Sequence, residues 1–217
     1  PYTTLFRSQY KLYSTSQLEA YLEIKLEGKI IISSICRLVQ RKGIDLAIKA
    51  LEPILKKNQN LVYLIAGNGE EYNALVKLID QLNLSDQVKL LGNVNDSIKY
   101  TLLDKSSIFL TPNHLDSGQD FEGFGISFIE ASYFENVVVG GRNGGVIEAV
   151  KEGVNGFLVD TDSPSRIENL RQVMADIIGK PGEIKRIQQS AKVYVKENFQ
   201  VEKLVHDFVN YFDQHFY

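Results

Sequence analysis

The chain has 217 residues, of which 44% are hydrophobic and 24% charged, with a formal net charge of −3; that is enough to bury one sizeable core and is an ordinary balance for a globular protein. Mild acidity excludes a protein that coats nucleic acid through a broadly basic surface. The single cysteine excludes an intrachain disulfide and fits a reducing cytoplasm, no spacing suggests a zinc site, and no apolar run reaches the length of a membrane-spanning helix or a secretory core.

In chain order, residues 1–8 share nothing with the pattern that follows and are read as a leader foreign to the fold; one domain is expected over 9–199 and a further helical segment over 200–217. Strands are expected at 29–36, 61–66, 87–91, 107–111, 137–140 and 156–159, and helices at 43–57, 69–82, 95–104, 124–135, 145–151, 165–178, 182–197 and 200–214. The strands are short, nearly continuous apolar runs, whereas Ile44, Leu46, Ala47, Ala50 and Leu51 recur on one side of a helix. Alternation of this kind is the signature of an α/β fold, a doubly wound parallel sheet of the Rossmann-like type. No internal repeat or low-complexity linker interrupts it. Pro181-Gly182 punctuates two late helices, and Val201, Leu204, Val205, Phe208, Val209 and Phe212 give the tail an apolar face.

In an open α/β sheet, ligands sit outside the carboxyl ends of the strands. The loop after the first strand carries Arg37, Arg41 and Lys42 and ends at Gly43. As exposed loop cations they would hold a diphosphate, and they equally fit an ordinary solvated basic loop. A second loop and the helix it opens carry Glu122 and Glu130, with seven residues between them, bracketing Gly123 and Gly125. A helix starting near Gly125 would aim unpaired N–H groups and its positive dipole end at an anion, while the two carboxylates accept hydroxyls on either side; each Glu also fits a solvated face. Gly67-Asn68-Gly69 begins like a dinucleotide fingerprint, but Tyr72 replaces the third glycine and the motif follows the second strand, so a nicotinamide cofactor is not expected. Asp116, Asp120 and Glu122 read as a solvated acidic loop rather than a metal site, His114 as a bystander and Cys36 as inert packing. Gly144-Gly145 would either turn beneath a ligand or cap a short helix.

These segments, taken together and in order, resemble the C-terminal domain of a GT-B glycosyltransferase of the large retaining family 4. They are Arg37-Leu38 through Lys42-Gly43, Leu64-Ile-Ala-Gly67-Asn-Gly69, Val88 to Val94, Ser107 to Pro112, Glu122-Gly-Phe-Gly to Glu130-Ala131, and Gly144-Gly145 through Gly156-Phe-Leu-Val. The resemblance spans residues 29 to 200. It implies that the chain is one half of a GT-B architecture. It further implies that Arg37 and Lys42 bind the donor diphosphate and offset charge developing on the leaving group. By the same resemblance Glu122 contacts hydroxyls of the donor sugar, and backbone at Phe124, Gly125 and Ile126 meets sugar and phosphate. Glu130 takes the ribose hydroxyls, and backbone near Val94 lies against the base. Arg37, Lys42 and Glu122 would thus be the catalytic set. The chain departs from the family pattern at Phe134-Glu135-Asn136, which lacks the usual glycine and proline, and at Gly144-Gly145-Val146-Ile147-Glu148, which lacks the proline; both changes touch backbone shape more than chemistry.

The implied function is transfer of a hexose from a nucleoside diphosphate sugar, with retention, to a hydroxyl acceptor such as a glycan or lipid-linked sugar, in the cytoplasm, with no cofactor and no metal. The acceptor would be met through an N-terminal domain outside this sequence; the aromatic tail at Tyr211, Phe212, Phe216 and Tyr217 would dock onto that domain or, equally, pack on this one, and a full enzyme of this kind is compatible with peripheral membrane association. No nucleic-acid partner is expected. Two alternatives stay open: a nucleotide-sugar-binding module without turnover, and a nucleotide-sugar hydrolase or epimerase.

Overall fold

A computed structural model of the chain describes residues 11–115, 123 and 125–199. Its helices are numbered here α1 (Thr15–Leu22), α2 (Ile44–Lys57), α3 (Tyr72–Gln81), α4 (Asp96–Lys105), α5 (Ile126–Tyr133), α6 (Val146–Ala149), α7 (Arg166–Ile178) and α8 (Pro181–Asn198). The strands are β1 (Ile30–Ile35), β2 (Leu61–Ala66), β3 (Val88–Gly92), β4 (Ile108–Thr111), β5 (Val137–Gly141) and β6 (Gly156–Val159). All adjacent strands pair in parallel, in the order β3-β2-β1-β4-β5-β6. The order reverses between β1 and β4. That is where a doubly wound sheet opens a crevice at its carboxyl edge.

Alternation along the strands fills two faces. Ile32, Leu61, Tyr63, Ile65, Ile108, Leu110, Val137 and Val139 join one core with residues of α2, α3, α7 and the start of α8. On the other face, Ile31, Val62, Leu64 and Ala66 pack with Leu18 of α1 and with Ile98 and Leu102 of α4, while Phe109 and Val138 pack with α5, α6 and Val195 of α8. With both faces covered, every residue of β2 is buried, which is why these strands read as continuous apolar runs. One polar contact crosses the first core: Ser34 Oγ lies 2.6 Å from Tyr63 Oη and also donates to the carbonyl of Leu110. Burial pushes the Tyr63 phenol well above its ordinary pKa, against the opposing pull of Ser34.

The expected strands and helices within the described residues are all present, with ends displaced by a few residues. One helix was not expected. Leu18 alone of α1 is buried, so the segment carries no apolar periodicity; what starts it is a capping box, in which Ser14 accepts from Gln17 N–H and the Gln17 side chain accepts from Ser14 N–H. Residues 1–8, the tail helix at 200–214 and the aromatic docking surface lie outside the described residues.

The turn after α5 shows how the chain manages without the family's glycine and proline. Glu135 takes the left-handed conformation at φ 63°. Asn136, fully buried, donates its side-chain amide to the carbonyls of Leu103, Ala131 and Phe134 at 2.8, 3.1 and 3.3 Å, and its backbone N–H to Ala131 O at 3.0 Å. A proline there could make neither kind of bond. In the second departure, Ile147 stands in the first turn of α6 with its side chain 52% exposed, so nothing depends on the missing ring. Of the two glycines before it, Gly145 is the N-cap of α6 and Gly144 turns at φ 50°.

Candidate functional site

The crevice at the switch point is framed by backbone. From β1 the chain runs through Cys36 to a 3-10 turn at Gln40–Lys42 and enters α2 at Gly43. On one side this loop is bonded to the one after β2: Cys36 N–H donates to Ala66 O at 3.1 Å, Leu38 N–H to Asn68 O at 2.9 Å, and Glu71 N–H back to Leu38 O at 3.1 Å. On the other side His114 N–H donates to Arg41 O at 3.0 Å. The approach is so close that a Cβ on Gly67 would stand 1.8 Å from Cys36 O, and one on Gly43 would stand 2.4 Å from Pro112 O. Both glycines also have positive φ, so no other residue fits without moving backbone.

The loop after β4 is held in turn by those after β5 and β6. Asn113 O accepts from Thr161 Oγ1 at 2.6 Å and Asn143 Nδ2 at 2.8 Å, and Leu115 N–H donates to Asp162 Oδ1 at 2.7 Å. His114 is 8% exposed, with Nδ1 3.0 Å from Leu115 O, and it is not among the residues that line the cleft itself.

Between the loops after β1, β2 and β3 and the helices α4 and α5 lies a cleft of about 460 Å³, lined among others by Arg37, Asn68, Val94, Lys99, Ser127 and Glu130. Arg37 is exposed at its mouth and Val94 half-buried in its wall. Glu130, on α5, reaches it with its side chain only 11% exposed. The structure thus unites three of the residues singled out in the sequence, Arg37, Val94 and Glu130. Cys36 lines the same cleft while packing partly on the first core. Gly125 is the N-cap of α5 at φ 72° with no side-chain cap; Ile126, 64% exposed, opens the helix and Ser127 faces the cleft. Glu122 and Phe124 lie outside the described residues, as do Asp116 and Asp120.

Lys42 corrects an expectation. Read as an exposed loop cation, it lies in the 3-10 turn, is 8% exposed and is not among the cleft's lining residues. Arg37 is therefore the loop cation that stands openly in the cleft.

Lys99 was not anticipated at all. Its Nζ lies 2.8 Å from Glu130 Oε1, and Tyr100 Oη donates to the same oxygen at 3.4 Å. Asn95 caps α4 by accepting from Ile98 N–H at 3.0 Å, which sets the first turn from which both side chains emerge. No signal in the sequence links residues 99 and 130, which come from different helices and meet only in the fold. Among the described residues no group of His, Cys, Asp and Glu is arranged to hold a metal ion, and no helix is long and apolar enough to cross a membrane.

A doubly wound parallel sheet with a cleft at the carboxyl edge of its strands, lined by Arg37 from the loop after β1 and Glu130 from the helix after β4, defines a Rossmann-like domain of the GT-B kind. Residues 22–194 match the family model described as "Glycosyl transferases group 1", and the chain belongs to that family. It is 26% identical over 177 residues to the GDP-mannose-dependent alpha-(1-6)-phosphatidylinositol monomannoside mannosyltransferase of Mycolicibacterium smegmatis, covering 81% of this chain and 45% of that protein. It is 26% identical over 197 residues to the human alpha-1,3/1,6-mannosyltransferase ALG2, covering 84% and 45%. The chain thus spans a little under half the length of these curated relatives. Among solved structures, Anabaena HepE in complex with UDP aligns with a TM-score of 0.76 at 21% identity, over 98% of this chain and 55% of that one. The C-terminal domain of the group 1 protein LpcC from Francisella tularensis aligns with a TM-score of 0.73 at 21% identity, over 92% of this chain and 98% of its own.

Proposed function

We propose that this chain is the donor-binding half of a glycosyltransferase that moves a hexose from a nucleoside diphosphate sugar to a hydroxyl acceptor, with retention at the anomeric carbon. The observation that carries the reading is the meeting of Arg37 and Glu130 in one cleft at the sheet's switch point, in a chain of the group 1 family. Arg37 takes the diphosphate at the cleft mouth, and Lys42, from the far end of the same loop, supports it. As the bond between the anomeric carbon and the diphosphate breaks, its electrons pass to the phosphate oxygen, and fixed cations stabilise that charge most when it is greatest. Glu130 accepts from the ribose, Val94 backs the base, and Glu122 with the backbone at Phe124, Gly125 and Ile126 meets the sugar. A hexose donor is supported by the relatives named for mannosyl transfer and by the neighbour HepE, solved also with UDP-glucose. The donor-binding domain is taken as residues 9–199, the acceptor is met through a further domain, and the reaction runs in the cytoplasm.

The test is calorimetric titration of the 217-residue chain with UDP, GDP and ADP. One nucleotide is expected to bind, and Arg37→Ala to weaken it; Glu130→Ala is expected to weaken the nucleotide while leaving pyrophosphate competition nearly unaltered. If none of the three binds a sample whose near-UV circular dichroism reports fixed aromatic packing, the reading is wrong.

A further inference from the structure

We propose that Lys99 is a positioning residue for the donor, acting through Glu130; this rests on the reading of the cleft as a nucleoside diphosphate site. Among the described residues, the carboxylate of Glu130 is held from one side only. Lys99 Nζ, at 2.8 Å, and Tyr100 Oη, at 3.4 Å, both fall on Oε1. That division fixes the rotamer through Oε1 and reserves Oε2 for a hydroxyl donated by the ligand.

The clamp is rigid because its parts are packed. Tyr100 is 5% exposed and stacks on Phe134 with ring centroids 5.7 Å apart, at the end of the helix that carries Glu130. Lys99 Nζ lies 4.9 Å from the centroid of the Tyr100 ring, so ring and carboxylate both favour the ammonium where it stands. With side chains 25% and 11% exposed, the pair is shielded from the full screening of water.

The second consequence is electrostatic. A diphosphate entering beside an unpaired, largely buried carboxylate would be repelled by it at low effective dielectric. Lys99 cancels that charge where it arises and leaves Arg37 to attract the diphosphate. Glu130 thereby acts as a hydrogen-bond acceptor for a neutral ribose without becoming an anion that opposes the phosphates.

The experiment is a double-variant cycle read by calorimetry with UDP and GDP, using the full chain as wild type, Lys99→Met, Lys99→Arg, Glu130→Gln and Lys99→Met/Glu130→Gln, with Arg37→Ala as the reference for the cleft itself. Methionine keeps the length of the lysine stem and removes the charge. Lys99→Met is expected to weaken the nucleotide about tenfold, Lys99→Arg to restore most of that loss, and Lys99→Met to add little once residue 130 is Gln. Pyrophosphate competition is expected to change far less than nucleotide binding, a selectivity that general loss of packing would not give. Wild-type affinity in Lys99→Met alongside weakened binding in Arg37→Ala would overturn the role of Lys99 and leave the cleft reading intact. Equal weakening by Lys99→Met in both backgrounds would show that it acts without Glu130, which also overturns the proposal. Unchanged affinity in both Arg37→Ala and Lys99→Met, or no binding by the wild type, would remove the cleft reading and this proposal with it.

Discussion

Replacing Gly67 by alanine tests whether the site frame is as tightly closed as its backbone contacts indicate. The residue sits at φ 136°, a region that residues with a side chain avoid, and an added Cβ would stand 1.8 Å from Cys36 O and 2.9 Å from its carbonyl carbon. The conformational strain is worth about 1–3 kcal/mol. Relieving the overlap by moving backbone adds about 1–3 kcal/mol, so the total is about 2–6 kcal/mol. Gly28 is the internal control, since it too has a positive φ, 74°, but nothing lies within 4 Å of its Cβ position. Gly28→Ala therefore carries the left-handed cost alone, about 1–2 kcal/mol. Urea unfolding followed by far-UV circular dichroism gives both values, and the difference should favour Gly28→Ala by at least 1 kcal/mol or so. The same two proteins separate stability from function, because only Gly67→Ala pushes on the loop that carries Arg37, and only it should weaken UDP or GDP binding among molecules still folded. Equal destabilisation by the two substitutions would refute the claim that the loops after β1 and β2 are in backbone contact.

Asn136→Pro, which restores the residue common in the family, should destabilise this chain by about 2–4 kcal/mol in the same assay, because three carbonyls lose an amide donor and the N–H to Ala131 O is removed; a neutral or stabilising result would show that the side-chain amide contributes nothing. The raised pKa of Tyr63 makes the fold stable against a buried phenolate: this contribution is complete below the unfolded-state pKa near 10 and is lost as pH climbs from there toward the higher folded value. Unfolding free energies of wild type and Tyr63→Phe, measured from about pH 9 to pH 11, should therefore diverge in slope by up to about 1.4 kcal/mol per pH unit at the alkaline end, and parallel curves would show the phenol is not buried in solution. Because Arg37 and Lys42 are assigned the diphosphate, UDP or GDP affinity should be the same with excess magnesium and with chelator, and a loss of about tenfold on chelation would transfer that role to a metal ion.

The architecture was readable because its strands are buried on both faces: Leu61–Ala66 is apolar throughout and ends where Gly67 begins a turn, so periodicity and punctuation agree. The helix Thr15–Leu22 was not readable that way, since a single buried leucine makes no pattern, although Ser14 and Gln17 stood at capping-box spacing. Within the site, Arg37 and Glu130 could be found because local motifs announce strand-to-helix loops. Lys99 could not, since in sequence it is a lysine in the first turns of a polar helix, and only the packing of α4 against α5 turns it toward Glu130. The burial of Lys42 escaped for a related reason: it depends on tertiary surroundings that the composition of a basic loop does not reveal.

The bracing of Cys36, Leu38 and Arg41 by neighbouring main chain separates two tasks that are often fused. The shape of the crevice is set by amides and carbonyls that Gly43 and Gly67 allow to approach, and its chemistry by residues such as Asn68, Val94 and Ser127 that line it. Of those three, Ser127 stands at the open start of α5, whereas Val94 also packs on the core and Asn68 also accepts from Gly69 N–H at 2.8 Å, so a library that varies residue 127 samples the cleft's chemistry with the least disturbance of its frame.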